Sequence, residues 1–230
     1  MKQNTKKLIC LIAFVGAGWL TACSYNIPSL NPKSMTRVTG SGKVITEART
    51  VGGFNSVVVN GAGKLLIDRT GTESLSITTD NNLLPYIVTE VRGGKLYLEF
   101  KPNVVPDNVT DLTFNLTVKD LVGITLNGAA AIDARNMQAD YLTVNLSGAG
   151  AVKMVGKIGQ QNVTLNGTGG YNAEDMECQR AMVTNNGAGV AIIRVSNELN
   201  AAINGAGYIE YIGNPKVTSR IVGIGAVRQR

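Results

Sequence analysis

From about residue 56 to the C-terminus, apolar and polar residues alternate in short stretches that are separated by glycine-rich tetrapeptides. Alternation with a period of two is typical of β-strands with one buried face, whereas the 3.6-residue period of a helix is missing. Counted from the first residue of each tetrapeptide, the apolar positions are mostly −3 and −1 before it and +5 and +7 after it. Each tetrapeptide is therefore predicted to be a turn between two strands whose inward residues share one core.

The tetrapeptide recurs at a nearly constant spacing. Its copies are Asn60-Gly61-Ala62-Gly63, Asn127-Gly128-Ala129-Ala130, Ser147-Gly148-Ala149-Gly150, Asn166-Gly167-Thr168-Gly169, Asn186-Gly187-Ala188-Gly189, Asn204-Gly205-Ala206-Gly207 and Val222-Gly223-Ile224-Gly225. From Asn127 on, successive copies start 20, 19, 20, 18 and 18 residues apart. A fixed period of this size is typical of a solenoid in which each repeat forms one coil. The sequence thus predicts an all-β fold, a parallel β-helix.

Stacked turns imply a particular construction. Glycines allow positive φ where the strand bends sharply, and we expect this to be their role. The first residues of successive turns would lie side by side, so that their amides hydrogen-bond to the copies above and below. The predicted ladder consists of Asn127, Ser147, Asn166, Asn186 and Asn204. A ligand-binding role for these residues is the alternative.

The half of the domain before Asn127 is less regular, because 67 residues separate the first two tetrapeptides. Strand patterns occur at residues 75–79, 87–92, 95–100 and 112–118. Arg92-Gly93-Gly94-Lys95 is typical of a tight hairpin turn, which predicts a local antiparallel pair. Residues 101–111 contain two prolines and are predicted to form a loop.

Residues 1–22 have the organisation of an export signal. Three lysines precede an apolar stretch at residues 8–20, which is too short for an ordinary transmembrane helix. The stretch ends in Leu20-Thr21-Ala22-Cys23, which resembles the bacterial lipoprotein box and implies cleavage before Cys23 and attachment of lipid to it. Acyl chains would anchor the protein to a membrane without a spanning helix. The alternative is an ordinary signal peptide with an incidental cysteine.

Residues 23–38 contain two prolines and no clean period, and they are typical of an extended tether. Residues 39–230 are then the folded domain. Ser24 follows the cysteine and favours the outer membrane over retention in the inner membrane. Whether the domain faces the periplasm or the cell surface is left open.

The composition restricts the kinds of molecule that the protein is expected to bind. The net charge is +6, and half of it comes from the three leader lysines, so that the rest is too mild and scattered for nucleic-acid binding. The cysteines are Cys10, Cys23 and Cys178. With Cys10 in the leader and Cys23 modified, Cys178 has no partner, and a disulfide scaffold is excluded.

The sequence offers little chemistry for catalysis. It contains no histidine, which excludes Ser-His-Asp and Cys-His catalysis and His-ligated zinc within the chain. The acidic cluster is Glu174-Asp175-Met176-Glu177, which we predict to be a solvated turn, and the adjacent Cys178 is a poor nucleophile because neighbouring carboxylates disfavour its thiolate. The calcium-binding repeat of β-rolls is absent. We therefore expect no enzyme, cofactor or metal site.

Three further segments resemble a known family. They are Val51-Gly52-Gly53-Phe54-Asn55-Ser56-Val57-Val58-Val59, Asp80-Asn81-Asn82-Leu83-Leu84-Pro85-Tyr86-Ile87 and Gly94-Lys95-Leu96-Tyr97-Leu98. Together with the repeats and the lipoprotein box, they resemble the auto-transporter adhesin head family, or GIN domain, of Bacteroidetes lipoproteins, from about residue 38 to the C-terminus. The resemblance implies a right-handed parallel β-helix in the cell envelope, and it supplies no catalytic residues.

The function predicted from these features is that of a lipid-anchored, non-enzymatic lipoprotein of the cell envelope with an adhesin-like binding or structural role. Its partners would be the membrane, through the lipid, and a glycan, envelope polymer or protein. The outward row Thr125, Asn145, Thr164 and Thr184 is a candidate binding face, with plain solvation as the alternative. A β-helix enzyme acting on polysaccharides, a lyase or hydrolase, is the alternative function. Self-association is left open.

Overall fold

A computed structural model describes residues 35–230, so the predicted signal peptide at residues 1–22 and the lipid site at Cys23 lie outside the described residues. The described part is all-β, with one 3₁₀-helix at Leu84–Tyr86. Its strands are β1 Thr36–Thr39, β2 Val44–Arg49, β3 Ser56–Gly61, β4 Lys64–Arg69, β5 Ser74–Asp80, β6 Ile87–Arg92, β7 Lys95–Phe100, β8 Val104–Asp107, β9 Leu112–Val118, β10 Gly123–Gly128, β11 Ala131–Gly148, β12 Ala151–Leu165, β13 Gly170–Asn185, β14 Val190–Arg194, β15 Glu198–Ile203, β16 Tyr208–Ile212, β17 Lys216–Ile221 and β18 Ala226–Gln229.

Equivalent strands of successive repeats pair in parallel. The segments before the turns form a first row, from β3 through β10 and the C-terminal halves of β11, β12 and β13 to β15 and β17. The segments after the turns form a second row, from β4 through the N-terminal halves of β11, β12 and β13 to β14, β16 and β18. The register sets Asn127 beside both Asn60 and Ser147, so the turns of successive repeats are neighbours, as predicted.

The predicted inward positions form the core. Residues of both rows belong to one cluster of buried side chains, for example Val144 and Val163 of the first row and Ile132 and Ile193 of the second. Because aromatic residues are few, this core consists mainly of branched aliphatic side chains. The final repeat departs from the pattern, since all six residues of β17 are exposed.

The glycines of the turns have two different roles. Gly61 and Gly148 adopt φ values of 134° and 156°, as predicted. For Gly167, Gly187 and Gly205, φ lies outside the left-handed region, and the prediction of positive φ is wrong. A Cβ atom on any of these three would lie 2.0 Å from a carbonyl oxygen of the preceding turn, so close approach of the stacked backbones requires glycine there.

The part before Asn127 contains the antiparallel strands. The hairpin of β6 and β7 turns through Gly93 and Gly94, both at positive φ, as predicted. Strand β5 also pairs antiparallel with β2 and β9, so the antiparallel part is larger than the single pair that was expected. Through β3 and β4 this part continues into the parallel rows.

The prediction of a loop at residues 101–111 is wrong in part. Within it, β8 pairs in parallel with β1, and Pro106 lies opposite Val38. Proline is tolerated because these two strands form a separate two-stranded sheet, in which both strands are edges. Strand β1 begins at Thr36, inside the stretch 23–38 that the sequence assigns to the tether.

Asp80, the last residue of β5, connects the loop between β1 and β2 with the loop between β8 and β9. Its buried carboxylate accepts hydrogen bonds from the backbone N–H of Gly42 at 2.6 Å and from the backbone N–H and hydroxyl of Thr110 at 2.8 and 3.0 Å. A Cβ atom on Gly40 would lie 2.7 Å from the same carboxylate. The pKa of Asp80 lies below its ordinary value, chiefly because the Thr110 N–H stabilises the ionised form, and burial opposes this only in part.

Candidate functional site

The predicted asparagine ladder exists, but it is interrupted. The amide Nδ2 of Asn204 donates to Oδ1 of Asn186 at 2.8 Å, and Nδ2 of Asn186 donates to Oδ1 of Asn166 at 2.8 Å. A second segment links Asn127 to Asn60 at 2.9 Å. The shorter side chain of Ser147 lies between the segments. These asparagines therefore fill an internal structural role, while most of them also stay exposed along the edge of the turns.

The outward side of the first row carries short polar residues in register, and we name it the Thr/Asn face. It consists of Thr125, Thr143, Asn145, Asn162, Thr164, Thr184 and Asn200, all half-buried. Within it, Thr125, Asn145, Thr164 and Thr184 are side by side on adjacent strands, about 4.8 Å apart. The structure thus brings together the four residues that the sequence predicts as a face. It adds a second column beside them, in which the apolar Met182 lies between Asn162 and Asn200.

A shallow depression lies at one end of this face. It has a volume of about 240 Å³. Ala202 lies beside Thr184 on the next strand, so the row that begins at Thr125 ends there in a small side chain, which forms the floor of the depression. Thr184, Asn200 and Arg220 line it together with the exposed side chain of Met182. Hydroxyl, amide and guanidinium groups around an apolar floor can bind hydroxyl-rich molecules, because each hydroxyl finds a donor or acceptor.

Larger hollows lie elsewhere, among them a groove and a cleft. A groove of about 670 Å³ runs between the turns at residues 61–62, 128–129 and 148–149 and the segment 99–106. A cleft of about 450 Å³ is lined by Lys157, Glu177, Cys178 and Arg194, among others. Sequence reasoning missed all three hollows, because each is formed by residues of different repeats and depends on side-chain size rather than on a motif.

The acidic cluster is not the solvated turn that the sequence predicted. Residues 174–177 lie within the continuous strand β13, and Met176 between them is buried. Glu174 pairs with Arg230 at 3.0 Å, Asp175 with Lys153 at 3.8 Å and Glu177 with Lys157 at 3.5 Å. Asp175 and Glu177 lie on the same outward side of the strand, but each of the three carboxylates is paired with a different cation, so they do not form a shared acidic site.

Cys178 lies inward on the same strand and is buried. Burial raises the pKa of its thiol, so the thiolate needed for nucleophilic attack is disfavoured. Nearby in the core, the hydroxyl of Tyr171 donates to Oε1 of Gln161 at 2.7 Å. Burial also raises the pKa of Tyr171, which therefore stays neutral and acts as a donor. Tyr171 is at position +5 after Asn166, which the repeat predicts to be inward, whereas nothing in the sequence pattern indicated its partner Gln161.

In residues 35–230, no helix has the length and apolarity needed to cross a membrane. In the same residues, no group of three or more His, Cys, Asp or Glu side chains is arranged to hold a metal ion.

Comparison with known proteins identifies relatives. The profile of the family described as "putative auto-transporter adhesin, head GIN domain" matches residues 53–215. Among curated proteins, none is significantly similar to the chain. Three solved structures share the fold, each over nearly its whole length.

A putative adhesin from Bacteroides fragilis is 21% identical, with a TM-score of 0.69 over 84% of this chain and 100% of its own. A putative lipid binding protein from Parabacteroides distasonis is also 21% identical, with a TM-score of 0.57 over 85% and 100%. A putative adhesin from Parabacteroides merdae is 22% identical, with a TM-score of 0.53 over 84% and 99%. At these identities the likeness establishes the fold alone.

Proposed function

This chain belongs to the family of the putative auto-transporter adhesin head GIN domain, and from that premise we propose that it is a non-enzymatic, lipid-anchored binding module of the cell envelope. Its ligand is a hydroxyl-rich polymer, such as a glycan, and its binding surface is the Thr/Asn face with the depression at Ala202. Family membership supports an adhesin role and an envelope location.

The observation that carries the proposal is the regular spacing of the Thr/Asn face. Four short polar side chains follow one another at the spacing of adjacent strands, and the second column places Thr143, Asn162 and Asn200 beside them, with Met182 between the last two. A polymer that repeats its hydroxyls along its length would meet equivalent donors and acceptors at each strand. Since each neutral hydrogen bond contributes only about 0.5–1.5 kcal/mol, affinity would come from their number.

The finer description of the fold belongs to the same proposal. The parallel register of successive repeats and the stacked turns support a right-handed parallel β-helix, which holds the columns straight over several repeats. The adhesin family and the sequence before residue 39 support an anchor at Cys23 in the outer membrane. The lipid would hold the domain at the membrane while the binding surface stays free.

The binding surface is tested by removing hydroxyls without changing shape. We expect Thr125→Val, Thr164→Val and Thr184→Val together to weaken glycan binding at least about tenfold, because three neutral hydrogen-bonding groups are lost. Valine keeps the branched side chain that suits a strand. Binding of the full chain carrying Cys23→Ser would be measured on a glycan array and then by titration.

The matched control places equally mild changes on the second row. Lys153→Gln in β12 and Ile192→Thr in β14, at outward positions on the two strands that flank β13, should leave the affinity unchanged. If the triple valine variant bound the glycan with the same affinity as the protein with the unmodified face, the Thr/Asn face would be only a solvated surface. Turnover of a polysaccharide by either protein would favour the enzyme instead.

The anchor is tested separately with the full chain. Cys23→Ser is expected to move the protein from the membrane fraction to the soluble fraction, because the site of acylation is lost. Cys178→Ser is the control, and it should remain in the membrane fraction. Membrane association of the Cys23→Ser protein equal to that of the unmodified chain would exclude the lipid anchor.

A further inference from the structure

The two ends of the stacked strands are built differently. At the end formed by β2 and β6, residues 83–87 cross from β5 to β6, and Leu83, Leu84 and Ile87 are buried there. The guanidinium of Arg49 in β2 donates to the carbonyl oxygen of Leu84 at 3.0 Å and holds this crossing in place. The segment 83–87 therefore covers the core at this end.

At the other end, β17 lies open. Among residues 35–230 it pairs with β15 alone, so one edge of its backbone has no strand beside it. Its inward residues Val217 and Ile221 are 36% and 45% exposed, although their counterparts Leu199 and Ile203 in the preceding repeat are fully buried. Val222 and Ile224 in the adjoining turn are 64% and 83% exposed. An unpaired edge with exposed apolar residues is a surface that takes up another strand.

We propose that this edge pairs with the same edge of a second copy of this chain, with the two β17 strands antiparallel and Ser219 on the two-fold axis. The inward residues of β17 are Val217, Ser219 and Ile221, which read apolar, polar, apolar in either direction. In this register Val217 lies opposite Ile221 of the second copy, and the two Ser219 residues face each other. A two-fold interface requires such self-complementarity.

The charged residues Lys216 and Arg220 favour this register over the adjacent registers of the same strand pair. Centring the pair on Ser219 sets Arg220 opposite Thr218 of the second copy. Centring it on Thr218 instead would set Lys216 opposite Arg220, and like charges directly across a strand pair are destabilising. Registers centred between residues would set inward residues opposite outward ones and leave the apolar side chains in water.

The covered end disfavours the other way of stacking copies. Head-to-tail stacking would bring β17 against the end formed by β2 and β6, where residues 83–87 already cover the core. The inward residues of β17 would there lack the self-complementary pattern that a second β17 offers. Pairing of two β17 strands occupies this edge on both copies, so β17 cannot take up a third copy.

The test uses the full chain with Ser219→Cys. Directly opposite residues of an antiparallel pair have Cβ atoms about 4.5–5.5 Å apart, close to the separation of about 3.5–4.5 Å in a disulfide. Under mild oxidation, we expect a disulfide-linked dimer as the main species on a non-reducing gel. Thr218→Cys is the matched control on the same strand, because its copies would be diagonal neighbours about 7–8 Å apart, and it should remain mainly monomeric.

A second measurement needs no cross-link. The mass of the full chain in solution should show a dimer, and Ile221→Lys should raise its dissociation constant at least about tenfold. Ile224→Lys, on an exposed residue outside the strand, is the control and should have a smaller effect. Equal cross-linking of the two cysteine variants, a cross-link to a different protein, or a monomeric unmodified chain would each overturn the proposal.

Discussion

Replacing Gly187 with alanine is expected to lower the free energy of unfolding by at least about 3 kcal/mol, at or beyond the upper end of the usual cost of overpacking. The added Cβ atom would lie 2.0 Å from the carbonyl oxygen of Gly167. That oxygen cannot easily retreat, because it accepts the backbone hydrogen bond of Ala188 at 2.9 Å. The carbonyl of Gly187 is held in turn by the N–H of Ala206 at 2.8 Å, so any shift would spread into the next repeat.

The control for this change is Gly170, the first residue of β13, directly after the preceding turn. Gly170 has open space where a Cβ atom would be, and its φ lies outside the left-handed region. Gly170→Ala should therefore change stability by no more than about 1 kcal/mol, because only the flexibility of the unfolded chain is affected. Urea unfolding of the full chain, followed by circular dichroism, compares the two. Similar midpoints for both variants would mean that the turns do not approach each other as closely as the structure shows.

Positions set by the repeat itself could be predicted from the sequence. A strand alternates its side chains strictly, so inward residues such as Val163 and outward ones such as Thr164 follow once one turn has been located. The pairing of Asn166, Asn186 and Asn204 follows in the same way from a period that stays near 20 residues. The Thr column of the candidate site was predictable for this reason, since it is one outward position repeated.

Features that depend on distances between repeats could not be predicted. Positive φ is a property of one residue, whereas the close approach at Gly187 involves the neighbouring turn. The depression at Ala202 exists because one small side chain has larger neighbours on adjacent strands. The wrong prediction of a turn at the acidic cluster could have been avoided. Met176 and Cys178 alternate with Asp175 and Glu177, as they would in a strand with one buried side.

Tyr171→Phe is expected to lower the free energy of unfolding by about 1–3 kcal/mol, because it leaves the buried amide of Gln161 without its hydrogen bond to the hydroxyl. Gln161 is fully buried, and its Oε1 accepts the Tyr171 hydroxyl. Its Nε2 has no hydrogen-bond partner among the described residues, so the amide depends on the hydrogen bond at Oε1. Gln161→Leu should also destabilise the protein, since it leaves the buried hydroxyl unpaired.

The double variant distinguishes this account from simple loss of packing. With Gln161→Leu and Tyr171→Phe together, no polar group of the pair remains buried, and replacing both partners by apolar groups of similar shape is nearly neutral. We therefore expect the double variant to be more stable than either single variant, with a coupling energy of about 1–3 kcal/mol from urea unfolding. If the two effects simply add, the hydroxyl and the amide do not depend on each other. The pairing in the core would then be wrong, even if both side chains are buried.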